Sequence, residues 1–169
     1  MRYPGFDYSQ YGSYFITICT KNKENLFWNM NEVYDAIKNE FEHIVNFELL
    51  PLNYIGDIID KNIRLWQNSY ENVEIPIYVI MPDHIHLIVS IIGTENGNAE
   101  KNPQLSRMVA QFKGKVTKEL GKSIWQKNYF DHIIVNEKDY NNCIDYIVDN
   151  PYVFEKRILE TRNNLNNEC

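Results

Sequence analysis

The pattern of apolar and polar positions predicts a β-sheet whose strands are separated by helices. Residues that favour strands are concentrated in segments 14–20, 73–81, 84–92 and 123–135, and segment 43–50 is also strand-like. Pro82 and Asp83 favour a turn, so the second and third of these strands are expected to pair antiparallel. The first strand has no consistently polar side, and we therefore expect it in the centre of the sheet, covered on both faces.

Helical spacing of apolar residues predicts four helices between or after these strands. The spacing recurs in segments 31–43, 53–70, 103–120 and 137–150. In the third helix, Asn102 is a candidate cap, Pro103 suits the first helical position, and Gly121 stands just past the end.

Residues near the C-terminus indicate where the last helix begins and ends. Residues from Asn136 to Asp139 resemble a capping box ahead of the last helix, which Pro151 is expected to end. The polar tail beyond Arg157 is expected to fray, and segment 93–103 is expected to form a loop.

The composition limits the class of protein. Of the 169 residues, 44% are hydrophobic and 24% are charged, which is typical of one ordered globular domain rather than of a disordered chain. No apolar run reaches membrane-spanning length and no secretion signal is visible, so we expect a cytoplasmic protein. Cys19, Cys143 and Cys169 lack the spacing of metal ligands or of a disulfide framework, which favours reduced thiols.

The net charge of −6 argues against a protein that holds long duplex DNA by overall electrostatics. A local basic strip is nevertheless predicted opposite the apolar stripe of the third helix. It consists of Arg107, Lys115 and Lys118 with Lys122 just past the helix. The strip is either an ordinary solvated helix face or a track for phosphate groups, and its spacing leaves both interpretations open.

Two of the four histidines lie one residue apart in the third strand. Successive side chains of a strand point to opposite faces, so His84 and His86 share one face while Ile85 and Leu87 share the other. The pair is either a polar patch on the wet side of a strand or two ligands of a metal ion. The second interpretation needs a third ligand and a group on which the metal can act.

A phenol and an amide project together from the last helix. Tyr146 and Asn150 lie one turn apart, on the flank of a stripe formed by Tyr140, Ile144 and Ile147. Each also has a simple structural interpretation, as a partly buried aromatic residue and as a helix-ending Asn before proline. Two imidazoles and an amide oxygen can hold a divalent cation that keeps positions open for phosphate oxygens. A tyrosine beside that cation can attack phosphorus and form a covalent phosphotyrosine.

Several segments, in a fixed order from residue 2 to about 152, resemble one family. They are segments 4–8 and 14–17, 79–86 with its His-Ile-His pair, 125–126, 129–134 and 146–151. The set is similar to the IS200-like Y1 transposases, a branch of the HUH endonucleases, and most of all to the REP-associated tyrosine transposases. Any one of these motifs would be a weak signal, but the set in this order is specific.

The resemblance implies an α+β fold, a ferredoxin-like α/β sandwich with an antiparallel sheet of four to five strands. It implies one domain over residues 1–152, followed by a polar tail over 153–169. A second copy of the chain is an implied partner, because members of the family are often dimers.

The resemblance also implies a site. His84 and His86 would bind a divalent metal, Mg or Mn, together with Asn150, and Tyr146 would be the nucleophile. Members of the family cut single-stranded DNA next to a hairpin and form a 5′-phosphotyrosine, so hairpin-containing single-stranded DNA is the implied partner.

The DNA-binding residues are less sharply defined than the site. The strip of the third helix is a candidate for phosphate contacts, and Trp125 and Tyr129 could either stack unpaired bases or be buried. Val135 stands where many relatives carry a basic residue, and the acidic net charge is unusual for the family. Two alternatives therefore stay open: a catalytically silent protein that binds hairpin or single-stranded DNA, and a hydrolytic metalloenzyme in which Tyr146 belongs to the core.

Overall fold

A computed structural model of the protein describes residues 11–38, 45, 47–92 and 104–167. Its strands and helices are β1 (Gly12–Cys19), α1 (Met30–Lys38), α2 (Tyr54–Gln67), β2 (Val73–Glu74), β3 (Tyr78–Ile80), β4 (His84–Ile91), α3 (Leu105–Leu120), β5 (Phe130–Ile134) and α4 (Glu137–Asn167). A short 3₁₀ turn, Lys21–Lys23, follows β1. None of the helices in these ranges combines the length and the apolarity needed to span a membrane.

The sheet is antiparallel throughout the described residues. Its strands lie in the order β2-β4-β1-β5, and β3 pairs with β4 as well. The succession β1-α2-β3-β4-α3-β5 is the ferredoxin-like arrangement, which confirms the predicted fold class. The predicted strand 73–81 is divided into β2 and β3 around Pro76, because proline has no N–H to donate to the strand ladder.

Helices cover both faces of the sheet. Ile16 and Leu87 are cross-strand partners with no exposed surface, and Tyr78, which pairs with Leu87, donates a hydrogen bond to Asp60 of α2 at 2.6 Å. This face is therefore covered by α2 and by α3, which packs against α2. The other face is covered by α4, in which Ile147 is fully buried. The prediction that the first strand is central is confirmed, whereas the predicted cover on both faces is confirmed only in part, because Phe15 and Thr17 on the α4 side are half-buried.

The last helix is longer than the sequence pattern predicts. Proline removes one N–H donor from a helix interior, yet α4 continues through Pro151 to Asn167. Packing beyond the proline offsets the loss, since Phe154 meets Trp28 edge-on with ring centroids 5.3 Å apart. The prediction that the helix ends before Pro151 is therefore wrong, and fraying of the tail beyond Arg157 stays a prediction.

The ends of α3 agree with the sequence in part. Gly121 adopts a left-handed conformation at φ 69°, which glycine reaches without strain, and confirms the predicted end of the helix. The helix begins at Leu105 with Gln104 as its N-cap. The predicted cap Asn102 and Pro103 lie outside the described residues, as does the predicted loop 93–103.

The start of α4 is a variant of the predicted capping box. The Asn136 side chain accepts a hydrogen bond from the Asp139 backbone N–H at 2.9 Å, as a capping residue does. The Asp139 carboxylate, however, accepts the backbone N–H of Val135 at 3.0 Å rather than that of Asn136. The reciprocal bond of the box is thus displaced by one residue towards β5.

Segment 31–50 is the part least well predicted. Residues 30–38 form α1, which confirms a helix there, and several of the following residues lie outside the described ranges. Residues 47–50 form bends and an irregular connection, so this part of segment 43–50 is not a strand as predicted.

Two glycines in helices allow a matched test of the packing. A Cβ added at Gly56 would lie 2.3 Å from the backbone oxygen of Phe27, whereas one added at Gly114 would meet nothing within 4 Å. We expect Gly56→Ala to lower the free energy of unfolding by about 1–3 kcal/mol, because the backbone of residue 27 must move. Gly114→Ala is expected to raise it by up to about 1 kcal/mol through helix propensity. Urea denaturation of both variants checks the pair, and equal midpoints would contradict the close approach of α2 to residue 27.

Candidate functional site

The two histidines of β4 lie side by side on the face of the sheet that α4 covers. The ring centroids of His84 and His86 are 4.5 Å apart. In the β1–β4 register His86 is the partner of Thr17, and His84 is the partner of Cys19. The prediction that both imidazoles share one face is confirmed, because strand alternation sends Ile85 and Leu87 to the opposite, fully buried face.

Each imidazole is oriented by a partner at Nδ1. The Thr17 hydroxyl lies 2.8 Å from Nδ1 of His86, and the Asp83 carboxylate lies 2.5 Å from Nδ1 of His84. These bonds leave the Nε2 atoms for another partner, and Nε2 of His86 is buried with no hydrogen-bond partner among the described residues. Ligating histidines in proteins are held in this way, with one nitrogen fixed by an oxygen and the other directed at the metal.

The protonation state of His86 suits ligation. Burial, with a further contribution from His84, lowers the pKa of His86 to about 3, so its ring is neutral at neutral pH as a metal ligand must be. Burial opposes ionisation of Asp83, but the hydrogen bond and the electrostatic interaction with His84 outweigh it. The pKa of the Asp83 carboxyl therefore lies below its ordinary value, and the carboxylate can hold the His84 ring.

Tyr146 lies against this pair. Its ring centroid is 5.1 Å from that of His86 and 5.8 Å from that of Phe15, which stacks on His86 at 5.3 Å. The neighbouring Ile147 is fully buried and fixes this part of α4 on the sheet, whereas Tyr146 itself is 53% exposed. The fold thus brings the predicted nucleophile to the histidines of the same chain and leaves it accessible.

Asn150 is the one member of the predicted quartet that the contacts do not connect to the histidines. It lies one turn beyond Tyr146 and its Nδ2 donates a weak hydrogen bond to the Tyr146 carbonyl oxygen at 3.3 Å. Among the described residues, no hydrogen bond joins Asn150 to His84 or His86. Its role as a ligand stays a prediction.

A second group of possible ligands lies where β5 meets the start of α4. Ligand atoms of His132, Asp139 and Cys143 all lie within 4.8 Å of one another, although their sequence spacing gave no such signal. The Asp139 carboxylate already bonds His132 Nε2 at 2.9 Å and the backbone of Val135. Burial raises the pKa of the Cys143 thiol, which disfavours the thiolate that a metal needs. The simplest account of the group is a tie between β5 and α4.

The predicted DNA-binding residues fall into two sets. The basic strip is exposed as expected, at Arg107, Lys115, Lys118 and Lys122. It lies on or just beyond α3, however, which covers the face of the sheet opposite the histidines.

The two candidate stacking residues differ in burial. Trp125 is only 7% exposed, packs at a tilt against Phe27 and Phe112, and donates its indole N–H to the Lys113 carbonyl oxygen, so the ring is too buried to stack on a base. The core interpretation of Trp125 is therefore the right one. Tyr129 is half-buried beside a groove between α3 and the residues before β5.

No protein-family model matches the chain. Among curated proteins it is similar to an uncharacterised protein of Haemophilus influenzae, with 33% identity over 92% of this chain and 89% of the relative. A protein of the same organism named as a putative REP-associated tyrosine transposase is 26% identical over 86% of the chain and 73% of its own length. The REP-associated tyrosine transposase of Escherichia coli is 34% identical over 46% of the chain and 44% of its own length.

Among solved structures, that of a REP-associated tyrosine transposase bound to a REP hairpin is similar in fold. The TM-score is 0.57 and the identity 21%, over 91% of this chain and 74% of the other. The likeness agrees with the mixed helix and antiparallel sheet architecture described above.

Proposed function

Since the chain belongs to the IS200-like transposase family, with REP-associated tyrosine transposases among its relatives, we propose that it cleaves and transfers single-stranded DNA in a metal-dependent reaction. The observation that carries the proposal is the position of Tyr146, an accessible phenol packed against His86. An exposed tyrosine on a buried histidine with a free Nε2 is difficult to explain as core packing. It suits a nucleophile placed beside a metal ligand.

The residues present fit a divalent metal. In the part of the chain that the structure describes, Nε2 of His86 is a buried polar atom without a partner, and such atoms are costly unless something binds them. Nε2 of His84 and Nε2 of His86 would hold Mg or Mn, with the Asn150 amide oxygen as the proposed third ligand. The bound ion would supply Lewis-acid polarisation of a phosphodiester oxygen.

The tyrosine carries the covalent step. The Tyr146 phenolate oxygen would attack phosphorus, forming a Tyr–O–P bond while the bond from phosphorus to the 3′ oxygen breaks. The phenolic proton passes to water, which reaches this half-exposed side chain, and the leaving 3′ oxygen takes up a proton from water. The products are a 5′-phosphotyrosine and a free 3′ hydroxyl, and attack by such a hydroxyl on the adduct reverses the step and transfers the strand.

Hairpin-containing single-stranded DNA is the proposed substrate. The motivation is the relative whose structure holds a REP hairpin. We assign Arg107, Lys115, Lys118 and Lys122 to parts of the DNA remote from the scissile phosphate, because they lie on the other face of the sheet, and Tyr129 to a base beside the α3 groove. A homodimer is compatible with this scheme, and the contact of Tyr146 with His86 favours a site complete within one chain.

The proposal is tested with a library of labelled single strands in which a hairpin is flanked by random sequence. Incubation with Mn or Mg should produce a covalent protein–DNA adduct that survives denaturation and is absent in chelator. Peptide mapping should place the nucleotide on the segment that contains Tyr146. Binding without any adduct under either metal would instead identify a catalytically silent DNA-binding protein, and cleavage without protein-linked phosphate would identify a hydrolase.

The hydroxyl of Thr17 should tune metal binding without itself contacting the metal. We expect Thr17→Val to weaken Mn²⁺ binding about 10–100-fold, because the His86 ring loses the partner that orients it. Ser13→Ala is the matched control, since Ser13 bonds Ser90 across the same two strands at 2.8 Å, away from the histidines. Calorimetric Mn²⁺ titration of both variants measures the effect, and equal losses would mean that the hydroxyl acts only on the stability of the sheet.

A further inference from the structure

A cluster of lysines lies at the end of the sheet that carries His84. Lys21 and Lys23 belong to the 3₁₀ turn after β1, and Lys127 stands across a cleft of about 530 Å³ from them. All three are exposed, and within the described residues no ion pair neutralises any of them. We refer to the 3₁₀ turn with Lys21 and Lys23 as the lysine turn.

The lysine turn is joined directly to the histidine site. The last residue of β1, Cys19, is the cross-strand partner of His84, and the next residue, Thr20, donates its backbone N–H to the Asp83 carbonyl oxygen at 2.8 Å. The cations therefore lie just beyond His84, on the side away from His86.

The turn is held in an unusual conformation. Asn22 and Lys23 have φ of 57° and 54°, in the left-handed region that side chains other than glycine rarely adopt. The buried Thr20 hydroxyl bonds the carbonyl oxygens of Asp83 at 3.0 Å and of Glu24 at 2.9 Å, which fixes both ends of the turn. A cationic turn that is fixed in advance loses little conformational entropy when it binds an anion.

The opposite wall of the cleft is fixed as well. The Gln126 backbone N–H donates to the Cys19 carbonyl oxygen at 2.9 Å, and the ammonium group of Lys113 donates to the carbonyl oxygens of Gln126 at 2.8 Å and Asn128 at 3.0 Å. Lys127 lies between these two anchored residues. Two fixed walls with cations on both sides make a groove suited to a polyanionic chain.

From this arrangement we infer that the lysine turn binds phosphates of the single-stranded DNA that lie next to the scissile phosphate, on the His84 side of the site. The inference rests on the proposed function and extends it to the path of the substrate. It explains how a chain of net charge −6 can hold DNA at its site, since the basic strip of α3 lies on the other face of the sheet. A single strand would pass from Tyr146 across the histidines to the lysine turn.

The test measures binding separately from cleavage. In a Tyr146→Phe background, the double variant Lys21→Gln and Lys23→Gln is titrated with a thymidine homopolymer at several salt concentrations. For each lost contact, the slope of log Kobs against log salt should become shallower by about 0.7, and the affinity at 0.1 M salt should fall on the order of 5-fold. The matched control, Lys38→Gln with Lys156→Gln, removes the same charge from exposed positions outside the site and should change neither quantity.

A DNA homopolymer with an uncharged backbone provides a second test of the inference. With a homopolymer of methylphosphonate linkages, the lysine-turn variant and its control should bind equally, because no phosphate charge is present. Three results would overturn the inference. They are an unchanged salt slope in the lysine-turn variant, an equal loss of affinity in the control, and no binding of the parent chain to the thymidine homopolymer. Adduct formation by the lysine-turn variant with Tyr146 intact is scored independently, so failure of the lysine turn is distinguished from failure of the tyrosine chemistry.

Discussion

Replacing Tyr146 with phenylalanine is expected to abolish the covalent protein–DNA adduct. The substitution removes only the phenolic oxygen that would attack phosphorus, while the ring can keep its contacts with Phe15 and His86. Loss of a nucleophile that forms a covalent intermediate lowers the rate on the order of 10⁴-fold or more. The measurement is the yield of labelled adduct on a denaturing gel with Mn or Mg, together with the affinity for the same DNA, which should be unchanged.

Tyr152→Phe is the matched control for this experiment. Tyr152 lies on the same helix and is 54% exposed, against 53% for Tyr146, but among the described residues it has no ring contact with the histidines. The control should form adduct at the rate of the parent protein. Adduct that persists in Tyr146→Phe would exclude Tyr146 as the nucleophile and direct attention to Tyr140 on the same helix or to Tyr129 just before β5.

The sequence predicts the central part of the fold well because burial there leaves a strong pattern. β1 and β4 are rich in β-branched and other apolar residues. Their cross-strand partners Ile16 and Leu87 are fully buried, so this face of the sheet accepts only apolar side chains and the sequence shows it. α3 is equally readable, since its apolar stripe and Gly121 are both local features. Local chemistry and global packing agree in these elements.

Prediction fails where distant packing overrides a local signal. Pro151 is a strong stop signal, and the contact of Phe154 with Trp28, which lies far away in the sequence, keeps α4 helical beyond it. That contact cannot be read from a window of neighbouring residues. The division of 73–81 into two short strands is a different case, because Pro76 is itself a local signal: it has no N–H to donate to the ladder and lies between the paired residues.

The candidate site was also predictable only in part from the sequence. Strand alternation alone places His84 and His86 together, but the partners that orient them come from register and from the turn before β4. Thr17 carries no signal of its own in the sequence, and it becomes important only as the cross-strand neighbour of His86. The lysine turn could not be predicted for a related reason. Two lysines in a charged turn are usually only solvated, and their position beside Asp83 depends on the fold.

Replacing His86 with alanine is expected to remove both metal binding and adduct formation. Changing a residue that only orients a ligand typically weakens metal affinity 10–100-fold, so loss of the ligand itself should exceed about 100-fold. Because His86 is buried and its loss could also unsettle the sheet, His84→Ala, at a half-buried position, is measured in parallel and should give the same result. Titration with Mn²⁺, followed by the paramagnetic resonance of the free ion, gives the affinities.

Cys143→Ser separates this site from the group formed by His132, Asp139 and Cys143. If the metal that supports cleavage lies between His84 and His86, the serine variant should keep its Mn²⁺ affinity and its adduct yield. A loss of both in that variant alone would show that the metal lies in the β5–α4 group instead.

A mixture of the His86→Ala and Tyr146→Phe proteins distinguishes a site within one chain from a site shared by two chains. Tyr146 packs on His86 of its own chain, so the mixture should stay inactive, and recovery of adduct would show instead that two chains exchange α4 to complete the site.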